Sequence, residues 1–301
     1  MNERARHVVL ATALAAVAVC TLGAQAAPAS KPSFEVATIK RNPSTSPARG
    51  AFGVRGSRFV MTNVTLVLMM QWAYRTSDAK LLLPSQITGG PGWAKSARFD
   101  LEAKPYEDAR SISTAHMREL VQALIENRFQ LKVRHETRQM PAYELVVAKG
   151  GPKIRLSKDQ TPPVSTARGE RAADDGTRRR DSSDVAHGQI RVRFNSSSAT
   201  LAGNAVTIDA LTNLLQGFVG RPIVDKTNLE GLFDMQVKVD MALTAGGFGA
   251  VSASGQDGDD PVARAGSMFH ALEEQLGLRL VSTKGPVEVI VIDSVQPPVE
   301  N

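Results

Sequence analysis

Cysteine is almost absent from this 301-residue chain, and the one present, Cys20, lies in an apolar stretch near the N-terminus. If export removes that stretch, the mature protein has no thiol, no disulfide and no cysteine metal site. Its stability then rests on its core. Histidine is scarce too. His116, His135, His187 and His270 follow the leader, and none has another histidine three or four residues away, the spacing a helical metal site uses. His135 and Glu136 are neighbours on an expected strand and point to opposite faces. There is no Gly-x-Ser-x-Gly elbow and no phosphate-binding glycine loop, so the usual marks of a serine hydrolase or an NTPase are missing. Aromatic residues make up 5% of the chain, and no basic helix interleaved with them offers a nucleic-acid surface. Beyond the leader no apolar run approaches the ~20 residues that cross a bilayer.

What is present begins with an export signal. Arg4 and Arg6 form a positive n-region, Val8–Leu22 an apolar h-region, and Ala24-Gln25-Ala26 an A-x-A cleavage site. Residues 1–26 are therefore expected to be a signal peptide, cleaved near Ala26, with the product periplasmic or extracellular. Val19 before Cys20 is too large for a lipoprotein site. A formal net charge of +6 and a pI near 9.6 read as a solubilising surface charge. With 42% hydrophobic and 22% charged residues the balance is that of a globular chain, long enough for one large or two small cores.

Periodicity supplies the elements. Phe34–Lys40 alternates as a strand, Asn42–Gly50 is loop, and Phe52–Thr62 is a hairpin broken at Gly56-Ser57. Asn63 or Thr65 caps a helix with Leu66, Met69, Met70, Ala73 and Tyr74 on its face. Gln86–Thr88 is a short strand, Gly89–Trp93 a tight turn, and Arg98–Lys104 a further strand. A helix runs over Ser113–Arg128, then strands at Phe129–Glu136 and, after a turn at Pro141, Ala142–Ala148. In the second half Gln189–Phe194 and Ala199–Ala202 are strands. A helix opens at Thr207 with Ile208, Leu211, Leu214, Leu215 and Phe218 inward, and Gly220 and Pro222 end it. Strands at Ile223-Val224 and Phe233–Val239 follow, then a glycine-rich insertion at Ala245–Asp260. A helix over Pro261–Leu276 and strands Leu278–Ser282 and Val287–Ile292 close the chain.

The two halves answer one another. Val64-Thr65-Leu66 matches Val206-Thr207-Ile208, and Phe99–Lys104 matches Phe233–Lys238. Ala123–Val133 matches Ala271–Val281, and Tyr143–Val147 matches Val287–Val291. The expected fold is α+β: two tandem duplicated modules, each strand-helix-strand-strand-helix-strand-strand with helices packed on small sheets. They occupy residues 33–156 and 188–296, joined by a disordered polar linker over 157–187. Val206–Leu215 and Leu272–Ile292 resemble the short N-terminal domain of secretins and signalling TonB-dependent receptors, which implies an exported protein-interaction module. A second resemblance covers nearly the whole mature chain. Phe34–Lys40, Asn63–Leu66, Gly89–Trp93, Arg128–Leu131, Pro141–Tyr143, Arg221–Thr227, Glu274–Leu278 and Val291–Asp293 together resemble the "soil-associated" exported family of unknown function, abundant in Acidobacteria. That family implies no transferable catalytic residues. It usually has glycine where this chain has Asn228, so the turn there must accept a non-glycine.

Candidate sites are few. Asp225-Lys226-Thr227 reads as a turn in which Asp225 and Thr227 bond nearby backbone. Trp93 at a glycine-rich turn is a candidate partner-binding residue, because tryptophan is enriched at binding hot spots. Packing against its own core is the competing role. Arg221, at a helix-to-strand junction, is the other candidate, with bonding to helix-end carbonyls as its alternative. No catalytic, cofactor-binding or metal-binding residue is assigned. The reading is an exported non-enzymatic protein-interaction or ligand-binding module with an envelope or extracellular protein partner and no nucleic acid. A secreted hydrolase of envelope or environmental polymers, using an unidentified carboxylate pair, and a sensor input domain are the alternatives.

Overall fold

The computed structural model describes residues 32–43, 50–162, 185–195, 198–240 and 261–298. The expected signal peptide, most of the expected polar linker and the expected glycine-rich insertion lie outside them. In chain order the first elements are β1 (Val36–Asn42), β2 (Ala51–Arg55), β3 (Arg58–Thr65), α1 (Leu66–Ala73), β4 (Ile87–Gly89), α2 (Trp93–Ser96), β5 (Arg98–Lys104), α3 (Thr114–Arg128) and β6 (Lys132–Val147). Then come β7 (Arg155–Leu156), β8 (Gln189–Phe194), β9 (Ser198–Val206), α4 (Ile208–Val219), β10 (Ile223–Asp225), β11 (Phe233–Asp240), α5 (Pro261–Leu276) and β12 (Leu278–Ser294). The fold is mixed α and β, with twelve strands in three sheets and five helices among the described residues.

Local chemistry sets the helix ends. The Thr65 hydroxyl accepts the Leu68 N–H (3.2 Å), Ser113 accepts that of His116 (3.0 Å) and Thr207 that of Ala210 (3.1 Å), each filling one donor the helix leaves open. Gly220 closes α4 in the left-handed region at φ 67°. Before α1 and α4 the strands use a second device. Asn63 (φ 56°) and Ala205 (φ 50°) interrupt the registers of β3 on β5 and of β9 on β11. Their N–H groups donate to Asp100 (2.7 Å) and Asp234 (2.9 Å), so a carboxylate replaces the ladder bond that each bulge gives up.

Two outer sheets have the orders β1-β5-β3-β2 and β7-β11-β9-β8, and the third is β10-β6-β12-β4. The third joins the halves. β6 and β12 form one antiparallel ribbon from Val147 opposite Leu278 to Lys132 opposite Ser294. β4 from the first half lies parallel on β12, and β10 from the second lies parallel on β6. The sequence suggests a break at Pro141 and another before Val287, and here the structure differs: both strands run on through Pro141 and Pro286. Pro141 pairs with Lys284 and Pro286 with Gln139. There the ribbon is only two strands wide, since β10 covers Tyr143–Leu145 and β4 covers Ile290–Ile292. Proline is tolerated on such open edges because no further strand needs its N–H.

Each core borrows from the other half. Ile290 and Ile292 of β12 fill the core beneath α1 and α3, beside Phe99, Leu101 and Phe129. Tyr143 and Leu145 of β6 fill the core beneath α4 and α5, beside Leu211, Leu215 and Leu272. The N-terminal end of the expected linker is packed as well. Ser157 is buried and donates its N–H to the Leu232 carbonyl (2.8 Å), and the Gln160 amide bonds both the N–H and the carbonyl of Leu232 (2.9 Å each).

Candidate functional site

The loop after α1, Arg75–Leu83, is held by elements from both halves. Arg75 and Leu81 form an isolated bridge, and the Thr76 hydroxyl accepts the Lys80 N–H (2.9 Å). Lys80 reaches Asp78 (2.8 Å). From the second half, Asn213 of α4 accepts the Leu81 N–H (2.8 Å) and Gln216 donates to the Leu81 carbonyl (2.9 Å). Glu288 of β12 accepts both the N–H (2.8 Å) and the hydroxyl (2.6 Å) of Ser77. His135 Nδ1 of β6 lies 2.7 Å from the other Glu288 oxygen.

Serine, histidine and a carboxylate in contact invite a catalytic reading, and the geometry argues against it. In a nucleophilic triad the imidazole sits between the hydroxyl and the carboxylate. Here Glu288 is in the middle. Burial alone would raise its pKa, but the Ser77 hydroxyl and amide, with His135, outweigh burial and hold it below the usual carboxylate range. A carboxylate stabilised in its charged form is a poor base and a good anchor. Because its folded pKa is depressed, its contribution is fully present above the unfolded value near 4.3 and is lost as pH falls through the folded value. Glu288→Gln is expected to lower stability by about 1–2 kcal/mol at pH 7, with the gap from the unsubstituted protein closing towards pH 3. Urea unfolding at the two pH values checks this, and a gap equal at both would contradict it.

A different surface carries apolar area into solvent. On β2, Phe52 stands opposite Met61 and Val54 opposite Phe59. Directly opposed residues share a face, so Phe52 and Val54 continue the face that holds Met61 (1% exposed) and Phe59 (3%). Yet they are 51% and 43% exposed. The Trp72 ring meets Phe59 at 4.8 Å between centroids and Phe52 edge-on at 6.1 Å. β2 is an edge strand. In the other outer sheet, Phe194 on edge strand β8 and Leu156 on edge strand β7 are likewise exposed.

The residues singled out from sequence lie elsewhere. Trp93 opens α2 where a turn was expected, half-buried, with its ring 6.4 Å from that of Phe99 and 6.3 Å from Phe129. Arg221 lies over the Tyr143 ring at 5.5 Å and makes no hydrogen bond to a helix-end carbonyl among the described residues. Asp225 accepts the Thr227 N–H (2.8 Å) and the Thr227 hydroxyl that of Leu229 (3.2 Å), the expected turn, with Asn228 left-handed at φ 56°. Among the described residues no three His, Cys, Asp or Glu side chains gather as a metal site requires, and no helix is long and apolar enough to cross a membrane. The alternation Phe52-Gly53-Val54 was a readable signal for the β2 face. Nothing in the sequence joins Ser77 to Glu288, 211 positions away.

One family model, described as "Protein of unknown function (DUF3738)", matches residues 67–295. No curated protein and no solved structure matches the chain.

Proposed function

We propose that this chain, which belongs to the DUF3738 family of unknown function, is an exported, non-enzymatic interaction module whose protein partner adds a strand to β2. The observation that carries the reading is the pair Phe52 and Val54, core-face residues on an open edge. Edge strands are normally blunted by charge, proline or cover, because their free N–H and C=O groups template pairing. An added strand with apolar residues at alternate positions would extend the ladder and bury both side chains at once. Export rests on Arg4, Arg6, the Val8–Leu22 run and cleavage near Ala26.

The module is read as a duplication, for which three features speak. Both outer sheets list their strands in the same relative order, and the shared sheet keeps its order when the halves are exchanged. The bulges at Asn63 and Ala205 are each tied to an aspartate of the neighbouring strand. Left-handed residues follow α3 and α5 closely, Gln130 (φ 47°) and Gly277 (φ 65°). Matching these two sets Tyr143 against Ile290 instead of Val287, and β10 meets Tyr143 as β4 meets Ile290.

Full-length protein used as bait in envelope extract is the test, beside a Phe52→Lys/Val54→Lys form shown to unfold cooperatively. Loss of a captured protein in the double variant is expected; its retention would refute strand addition at β2. Trp93→Ala is a poorer probe, since it removes packing against Phe99 and Phe129 as well as surface.

A further inference from the structure

Several half-buried arginines have an acceptor among the described residues. Arg98 donates to the Asn63 carbonyl (3.0 Å), Arg128 to that of Ala37 (3.3 Å), and Arg279 is paired with Glu273. Arg75 and Arg118 differ. Arg75 begins the loop after α1, and Arg118 projects from α3 with its guanidinium carbon 5.8 Å from the centre of the Trp72 ring. Both are half-buried. Arg75 Nη1 and Arg118 Nε are shut from solvent without an acceptor, and no carboxylate pairs with either residue among the described residues. The α3 carboxylates nearby are engaged: Glu119 with His116 (3.1 Å), and Glu126 with the Tyr74 hydroxyl (2.9 Å) and the Gln122 amide (3.0 Å). Burial, and then the like charge of Arg118, pull the Arg75 pKa down to about 10, and burial lowers that of Arg118. Two cations partly stripped of water, with no counter-charge, are an arrangement folding does not favour, and groups perturbed in this way cluster at functional sites.

We propose that Arg75 and Arg118 form a binding site for an organic oxyanion, a carboxylate or phosphate, whose apolar body rests on the Trp72 and Phe52 rings. The planar guanidinium fork suits both oxyanions. Trp72 holds Arg118 from one side by cation–π contact, and the half-exposed Phe52 lies edge-on to the same ring. The ligand's charge supplies what the fold omits, and its body covers apolar surface left open. This site does not depend on strand addition at β2.

Calorimetric titration of the full-length protein with benzoate, phenyl phosphate, acetate and inorganic phosphate tests it. The aryl anions are expected to bind about tenfold or more tightly than their bare counterparts, because they also cover the rings. The preferred member of the aryl pair identifies the oxyanion. Arg75→Gln and Arg118→Gln should each weaken that binding about tenfold or more. Without ligand each variant should melt no lower than the unsubstituted protein, since an uncompensated charge has been removed. A purely structural arginine would give the reverse, a lower melting temperature with no change in binding. That result, or the absence of binding by all four anions, would overturn the proposal. Arg118→Lys, which keeps the charge but not the fork, should fall between the two.

Discussion

Gly277→Ala is expected to cost roughly 3–5 kcal/mol, most of the stability of a marginal domain. Gly277 ends α5 at φ 65°, where an L-residue pays about 1–2 kcal/mol. An added Cβ would also run into the backbone, against the Gly151 carbonyl oxygen and the Lys153 nitrogen. That turn cannot shift freely. Lys153 and Ile154 both donate to the Leu276 carbonyl (2.8 and 3.2 Å), and Ala148 donates to the Gly277 carbonyl (2.9 Å). Displacing three such bonds costs about 1 kcal/mol each. Gly151→Ala is the matched control: its φ is 80° but its Cβ would meet nothing, so it should cost only the conformational part, about 1–2 kcal/mol. Chemical unfolding of the two variants separates the causes. Equal losses would mean the packing of α5 against the turn matters little.

Neither half is expected to fold alone. Expressed as residues 1–162, the chain loses β12 and with it Ile290 and Ile292 from the first core. Expressed as residues 185–301, it loses β6 and with it Tyr143 and Leu145 from the second. Each missing pair contributes about 1.5–3 kcal/mol per side chain, and the surviving ribbon strand is left with an unpaired edge along its length. A net stability of about 5–15 kcal/mol does not survive that loss. The separate fragments should show no cooperative thermal transition, and mixing them should restore one. A cooperative transition in either fragment alone would mean that the shared ribbon is dispensable.

The sequence was legible where structure is decided within a few residues. Thr65, Ser113 and Thr207 cap their helices, and Gly220 ends α4, because caps depend on the chemistry of adjacent positions. Pro141 misled because the tolerance of a strand for proline depends on what lies beyond it, here an open edge. The period of two at Phe52 and Val54 could be read, but not that β2 would be left at the edge. His135 and Glu288 are brought together by the pairing of β6 with β12, and Ser77 by the loop after α1 reaching that ribbon from far away in the chain. The isolation of Arg75 and Arg118 is a matter of burial, and sequence gives no measure of which cations lose their water.

Strand addition at β2, the proposed mode of partner binding, is open to a direct test. A photo-crosslinking residue in place of Phe52, introduced into the full-length chain expressed in cells, tests this without knowing the partner. Tyr106 is the control site, more exposed at 74% and set in a loop. A discrete covalent adduct is expected from position 52 and none from position 106. No adduct from position 52, or the same adducts from both positions, would contradict it.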